Sequence, residues 1–340
     1  MKSVSGVGLF SAVALLCVSP GLQAGAYTFQ TLDNPGDPAF NQLLGINNGG
    51  TIAGYFGDGM AQPNKGYTLS SPYGLGNYTN ENFPGSVQTQ VVGINNNASP
   101  ITVGFWIDGN NNNFGFVNQG GSFTSVFNPA TPAATPSVNQ LLGVNNSGVA
   151  AGFYVDGAGN AQAYLYNIMG MTFTAITLPG SFSAAMTTAT GINNAGIVVG
   201  FYTDGGGVTH GFIDNGGSFT SLDDPNANGN TEFLGLNNNG YIVGSFLDAS
   251  DMTNGLLYNI GSNSWQTVDD PSQSATPAFG VTGTTINGIN DKNQLVGFYS
   301  DGTNVNGFLA TTVTPEPGSA GLVTLALAGA WYAKRRHRRT

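Results

Sequence analysis

An aspartate recurs six times along this chain, each time after an apolar or aromatic run and at the start of a turn. We call this set the turn aspartates; its members are Asp58, Asp108, Asp156, Asp204, Asp248 and Asp301. Calcium takes about six to eight oxygen ligands, several usually from one loop. Each turn offers a single carboxylate, and only Asp248 has a second nearby, Asp251. We favour the role of turn former and keep Asp248 and Asp251 as calcium candidates.

Two pairs of adjacent aspartates, Asp223-Asp224 and Asp269-Asp270, each precede a proline. Glycosidases use two carboxylates that face each other across a cleft. Neighbours on an extended chain point to opposite faces, so neither pair can serve alone. A carboxylate pair drawn from two different repeats stays open.

His210 is the only histidine between residues 27 and 311. Its counterparts in the other repeats are lysine, phenylalanine, glutamine or asparagine. The sequence implies no serine or cysteine nucleophile beside it, so we do not assign it a catalytic role.

Asparagines and aromatic residues also recur at fixed positions. The asparagines could line a central channel, although asparagine before a tight turn usually bonds neighbouring backbone groups; they are Asn47, Asn95, Asn145, Asn193, Asn237 and Asn290. The aromatic residues could stack on sugars, but their constancy favours packing between repeats; they are Phe56, Trp106, Tyr154, Tyr202, Phe246 and Tyr299.

The turn aspartates, the repeated asparagines and the repeated aromatic residues belong to one phrase: Gly-Ile/Val/Leu-Asn-Asn/Asp, a turn, an apolar pair, Gly, aromatic residues and Asp. It begins at Gly45, Gly93, Gly143, Gly191, Gly235 and Gly288. The spacings of 48, 50, 48, 44 and 53 residues are typical of a repeat architecture. Within one repeat, β-branched and aromatic runs alternate with Asn-Gly and Asp-Gly turns, the strongest local signal for hairpins. Each repeat therefore predicts four short antiparallel strands.

The fourth strand of the sixth repeat is missing, and its phrase stands instead at the N-terminus, as Phe29–Pro35. A displaced strand of this kind closes a ring. We therefore predict an all-β fold, a six-bladed β-propeller of four-stranded antiparallel blades closed by the N-terminal strand. A parallel β-helix or an open array is the alternative.

The phrase Gly191-Ile-Asn-Asn-Ala-Gly-Ile-Val-Val-Gly-Phe-Tyr202, followed by His210-Gly-Phe, resembles the HAF family of extracellular repeats. The resemblance covers about residues 27 to 311, and its strength lies in six copies in register. It implies an extracellular location and a repeat architecture more than any activity.

The N-terminal segment, residues 1–26, has a lysine at position 2, an apolar run and a small-residue end, Ala24-Gly25-Ala26. These features indicate a secretory signal peptide. Cys17, the only cysteine, lies within it and follows Leu16 rather than a small residue. We therefore expect neither acylation at Cys17 nor a disulfide in the mature protein.

The C-terminal tail, residues 312–340, contains Pro315-Glu316-Pro317, an apolar stretch and a basic cluster that includes Lys334, Arg335 and Arg336. Together these parts resemble the PEP-CTERM sorting signal of Gram-negative bacteria that make exopolysaccharide. The resemblance implies recognition and cleavage by an exosortase. The apolar stretch of 16 residues is shorter than the roughly 20 of a stable span, which suits transient attachment to the inner membrane.

Charge excludes one class of partner. Residues 27–311 contain two lysines and seventeen acidic residues, a net charge of −15. Nucleic-acid affinity depends on lysine and arginine contacts with phosphates, so DNA and RNA are excluded.

The sequence thus predicts an exported, non-enzymatic protein of the cell surface, outer envelope or exopolysaccharide matrix, without a cofactor. A polysaccharide-binding, lectin-like propeller is the alternative. A hydrolase or lyase acting on glycans is a third possibility, because propellers host such enzymes and fold alone does not decide function.

Overall fold

Six four-stranded antiparallel sheets make up the computed structural model, which describes residues 27–132 and 136–313. The predicted all-β, six-bladed propeller is confirmed. The predicted signal peptide, residues 1–26, and the sorting residues Pro315, Glu316, Pro317, Lys334, Arg335 and Arg336 lie outside the described residues. In the part of the chain that is described, no helix has the length and apolar character of a membrane span.

The strands follow the chain blade by blade, each blade running from the central axis outward. Blade 1 contains β2 (Asn41–Ile46), β3 (Ile52–Phe56), β4 (Lys65–Leu69) and β5 (Tyr78–Asn80). Blade 2 contains β6 (Gln88–Ile94), β7 (Ile101–Ile107), β8 (Asn113–Gln119) and β9 (Ser122–Val126). Blade 3 contains β10 (Asn139–Val144), β11 (Val149–Val155), β12 (Ala161–Asn167) and β13 (Thr172–Ala175).

The second half of the ring repeats this order. Blade 4 contains β14 (Ala184–Ile192), β15 (Val198–Asp204), β16 (Thr209–Asn215) and β17 (Ser218–Leu222). Blade 5 contains β18 (Thr231–Leu236), β19 (Tyr241–Leu247), β20 (Thr253–Asn259) and β21 (Ser264–Thr267). Blade 6 contains β22 (Thr284–Ile289), β23 (Leu295–Ser300), β24 (Val305–Thr312) and β1 (Tyr27–Thr31). Short 3-10 helices occur at Leu75–Asn77 and Gly180–Phe182.

Blade 6 closes the ring as predicted. β1 lies antiparallel to β24, with Tyr27 opposite Thr312 and Thr31 opposite Phe308. The N-terminal strand thus supplies the outermost strand of the last blade, and β24 extends to Thr312, one residue beyond the predicted domain boundary.

The innermost strands approach one another closely at the repeated glycine. A Cβ atom added at Gly45 would lie 2.6 Å from the backbone oxygen of Val92, and one at Gly235 would lie 2.5 Å from that of Asn287. Any larger residue would push neighbouring blades apart. The innermost strand of every blade also has a register shift beside this glycine.

The core lies between adjacent blades. One buried cluster joins Leu43 and Tyr67 of blade 1 to Val296 of blade 6. The repeated aromatic position contributes to these cores, since Tyr202 and Phe246 are 4% and 3% exposed. The predicted packing role of this position is confirmed for the buried members.

The repeated asparagines form a closed hydrogen-bonded ring around the axis. Each Nδ2 atom donates to the backbone oxygen of its counterpart in the next blade at 3.0–3.3 Å, and Asn290 donates back to Asn47. Each Oδ1 atom accepts backbone N–H groups of its own turn, as from Ser147 and Val149 to Asn145. The predicted bonding to neighbouring backbone is confirmed; the bond between blades was not predicted.

A second ring lies one residue further along. The backbone N–H of each member donates to the side-chain Oδ1 of the next at 2.6–2.9 Å. Its members are Asn48, Asn96, Asn146, Asn194, Asn238 and Asp291. We call the side of the propeller that carries both rings the asparagine face.

Replacing Asn145 by alanine removes three side-chain hydrogen bonds, to Asn193, Ser147 and Val149, and leaves buried groups unpaired. We expect a loss of about 2–4 kcal/mol in the free energy of unfolding, measured by urea titration. Asn146→Ala is the matched control, because its side chain accepts one hydrogen bond, from Asn96, and should cost about 1 kcal/mol. Equal losses in the two variants would contradict a special role for the first ring.

Candidate ligand-binding site

The turn aspartates shape the backbone of their own turns. Asp58 Oδ1 accepts the N–H groups of Met60 and Gln62 at 3.0 and 2.9 Å. These bonds, that of Gln62 first, hold the pKa of Asp58 below its usual value. The calcium candidate Asp248 is engaged in the same way, by Ser250 and Met252. The predicted turn role is confirmed, and within the described residues no group of three or more acidic or histidine side chains is arranged to hold a metal.

The paired aspartates diverge as predicted. Asp224 and Asp270 are buried and accept backbone N–H groups within their own loops, both at 2.8 Å. Asp269 turns instead to the backbone of Gly255, at 2.9 Å. Neither pair presents two carboxylates to one cleft.

His210 lies between two carboxylates. Its Nδ1 atom is 3.0 Å from Asp223 and its Nε2 atom is 3.7 Å from Asp204, while the ring stacks on Tyr202 at a centroid distance of 5.0 Å. The hydroxyl of Tyr202 pairs with Ser221 at 2.9 Å. The ring nitrogens are thus occupied by carboxylates rather than by a nucleophile.

The aromatic residues pack against other aromatic side chains rather than facing solvent. Trp106 lies between Phe83 and Phe114, at centroid distances of 4.4 and 4.7 Å. Among the described residues the exposed aromatic side chains are Phe127 and Phe279, and no tryptophan or tyrosine joins them. Broad sugar-stacking platforms are therefore not a feature of the described surface.

A channel runs along the axis between the innermost strands. Leu44, Val92 and Leu142 line it beside the ring of glycines, around a cavity of about 310 Å³. At the asparagine face the channel leads to a smaller space of about 60 Å³, which the repeated asparagines line. At the other mouth the repeats differ in the residues that they contribute.

At that mouth a cleft of about 380 Å³ opens between blades 5 and 6. Glu232 of β18 and Asn287 of β22 line it, with Asn230 just before β18. Phe246 and Phe298 supply aromatic walls. Gln42, Leu234 and Asn287 line both cleft and channel, so the two spaces are continuous.

The loop 271–283, which precedes β22, forms one wall of the cleft through Gly280, Val281 and Thr282. The loop is pinned by hydrogen bonds from Gly283 to Ser274 and between Ala278 and Val281, all at 2.9 Å. A glycine is needed at position 283, where φ is +58° and a Cβ would lie 1.8 Å from a backbone oxygen of β20.

The cleft presents one carboxylate, that of Glu232. Burial raises the pKa of Glu232. The Oδ1 atoms of Asn230 and Asn287 are buried and accept no hydrogen bond from the described residues. Because these two oxygens are closed off from solvent, they are not part of the surface that a ligand in the cleft would contact.

The sequence analysis missed these residues. The signal that could have found them is departure from the repeat: Glu232 stands where blades 1 to 3 have Gln42, Gln90 and Gln140, and Asn287 stands where blades 1, 3 and 5 have leucine. The spacing of 53 residues before the sixth phrase reflects the longer loop.

The fold places the chain among six-bladed β-propellers. The fungal lectin of Aleuria aurantia, described as a six-bladed propeller that recognises fucose, superposes with a TM-score of 0.51 and 11% identity, over 85% of this chain and 100% of the lectin. Trypanosoma rangeli sialidase gives a TM-score of 0.51 and 9% identity, over 93% of this chain and 63% of the sialidase. At these identities the likeness concerns the fold alone. No protein-family model and no curated protein matches the chain.

Glu232→Gln introduces the residue that blades 1 to 3 carry at this position, and it should raise the melting temperature at pH 7. The folded-state pKa of Glu232 is raised by burial, so the wild type loses stability as pH rises from the unfolded-state pKa through the folded-state pKa. Glutamine has no such penalty.

The measurement is a series of melting curves from acid to neutral pH. The gain should vanish at acid pH, where Glu232 is protonated. Asp214→Asn removes one charge in blade 4, away from the cleft, and serves as the control. An unchanged or lower melting temperature for Glu232→Gln at pH 7 would show that the carboxylate is not penalised by burial.

Proposed function

We propose that this protein is an exported, non-enzymatic propeller of the cell surface or exopolysaccharide matrix that binds polysaccharide in the cleft between blades 5 and 6. The observation that carries the proposal is the cleft itself, where the polar side chains of Glu232, Asn230 and Asn287 line one cavity with aromatic walls. Sugar hydroxyls form hydrogen bonds with carboxylate and amide groups, and the carbon atoms of the sugar ring pack on apolar walls.

The shared architecture supports the proposal only in general terms. The Aleuria aurantia lectin is described as recognising fucose, so a six-bladed ring is compatible with sugar binding. The polar groups of the present cleft come from this chain's own departures from its repeat. We therefore do not carry fucose over as the ligand.

A non-enzymatic role is supported by the charge arrangement in the cleft. Glu232 is its one carboxylate among the residues that line it, whereas hydrolysis of a glycosidic bond commonly uses two that face each other. The sialidase likeness concerns the fold and brings no second acidic residue to this cleft.

Export and C-terminal sorting remain part of the proposal on sequence grounds. The predicted signal peptide and the predicted PEP-CTERM-like tail, with an exosortase as partner, would bring the propeller to a location where polysaccharide accumulates. The HAF resemblance, also a prediction, agrees with that location.

Binding of the secreted protein to a panel of polysaccharides tests the function, first with calcium and then with a chelator. We expect saturable binding to at least one polysaccharide, unchanged by the chelator, because the turn carboxylates are already engaged by backbone N–H groups. Asn287→Leu, which removes a polar side chain from the cleft and introduces the residue of blades 1, 3 and 5, should weaken binding about tenfold or more, and Tyr154→Ala in blade 3 is the control. Absence of binding across the panel would refute the proposal, and loss on chelation would return calcium to the turn aspartates.

A further inference from the structure

We propose that the cleft between blades 5 and 6 selects a sugar unit that carries a protonated amine, as in a hexosamine whose nitrogen is not acetylated. This inference rests on the proposed polysaccharide-binding function and specifies the chemical class of its ligand.

The first argument is the acceptor that Glu232 offers. Its side chain lines the cleft, whereas the hydroxyls of Thr253 and Thr282 are 3.2 Å apart and bond each other. An alkyl ammonium group donates three hydrogen bonds and accepts none, which complements a carboxylate better than a hydroxyl, a donor and an acceptor at once.

The second argument is the charge of Glu232. A buried carboxylate is costly unless a cation compensates it. Among residues 27–132 and 136–313 the ion pairs all involve His210 of blade 4, so none of them compensates Glu232. The lysines of this region lie elsewhere: the ammonium group of Lys65 bonds the backbone oxygen of Val87, and Lys292 belongs to a turn on the asparagine face. A ligand ammonium would supply the missing charge.

The third argument is selectivity over other cations. Calcium needs about six to eight oxygens and usually several carboxylates, whereas the cleft has one carboxylate. Its volume of about 380 Å³ falls within the range of about 300–1,000 Å³ typical of small-molecule sites. Phe246 and Phe298 line it and provide apolar surface for the carbon skeleton of a sugar ring. The net charge of −15 for residues 27–311 also attracts a cationic polymer.

The test uses three β-1,4-linked hexamers that differ only at carbon 2: glucosamine, N-acetylglucosamine and glucose. Their binding to the secreted full chain is measured by calorimetry, at a pH where the amine is protonated. We expect the glucosamine hexamer to bind at least about tenfold more tightly than the other two. Glu232→Gln should reduce its affinity about thirtyfold or more, because one partner of a desolvated charge pair is lost.

Two variants separate this effect from misfolding and from general charge. Asn287→Leu introduces the residue of blades 1, 3 and 5, so it should fold, and it should weaken glucosamine binding by removing a polar side chain from the wall of the cleft. Asp214→Asn removes a charge outside the cleft and should bind like the wild type. Equal loss in Asp214→Asn and Glu232→Gln would mean that net charge, rather than the cleft, attracts the amine.

The outcomes also separate this inference from the proposed function. Equal binding of the three hexamers, or binding of the neutral ones alone, would overturn the amine requirement and leave polysaccharide binding intact. Failure of all three hexamers, with binding to another polysaccharide in the panel, would likewise overturn it. Failure of every polysaccharide would remove both. Equal affinity of a simple alkyl amine and the glucosamine hexamer would assign the site to the amine alone and contradict a sugar ligand.

Discussion

The close approach of six innermost strands to one axis is the constraint on which the structure depends. At the repeated glycine the strands pass near enough that a single Cβ atom would meet the backbone of the next blade. The asparagine two residues later then joins each blade to the next through its side-chain amide. The glycine permits the close approach of neighbouring innermost strands, and the hydrogen bond from the asparagine holds those strands together.

The fold could be predicted from the sequence because the same pattern of strands and turns occurs six times. The turn residues, the strand lengths and the displaced N-terminal strand all indicate the same fold, so an irregular repeat could be interpreted by comparison with the others. The turn role of aspartates such as Asp58 followed from the same redundancy. Even so, the bond from Asn145 to the backbone of Asn193 was not predicted, because it joins residues 48 positions apart and needs the geometry of the closed ring.

The cleft could not be predicted by the same route. Repetition directs attention to what is constant, whereas Glu232 and Asn287 matter because they differ from their counterparts. They are separated by more than one repeat and meet only because blades 5 and 6 pack side by side. The regular positions build the ring, and a few departures from the repeat give the space between blades 5 and 6 its polar lining.

The pairing of β1 with β24 decides how an attached ring would be oriented. Tyr27 lies opposite Thr312, and Ala310 lies opposite Leu295, just after the turn that carries Asn290. The chain therefore enters and leaves the propeller at the outer rim on the asparagine face. A tether joined after Thr312 would hold that face toward its support and display the cleft outward. Attachment at this point leaves the opposite mouth unobstructed, and a stretched tether would pull on a strand that is hydrogen-bonded on both sides.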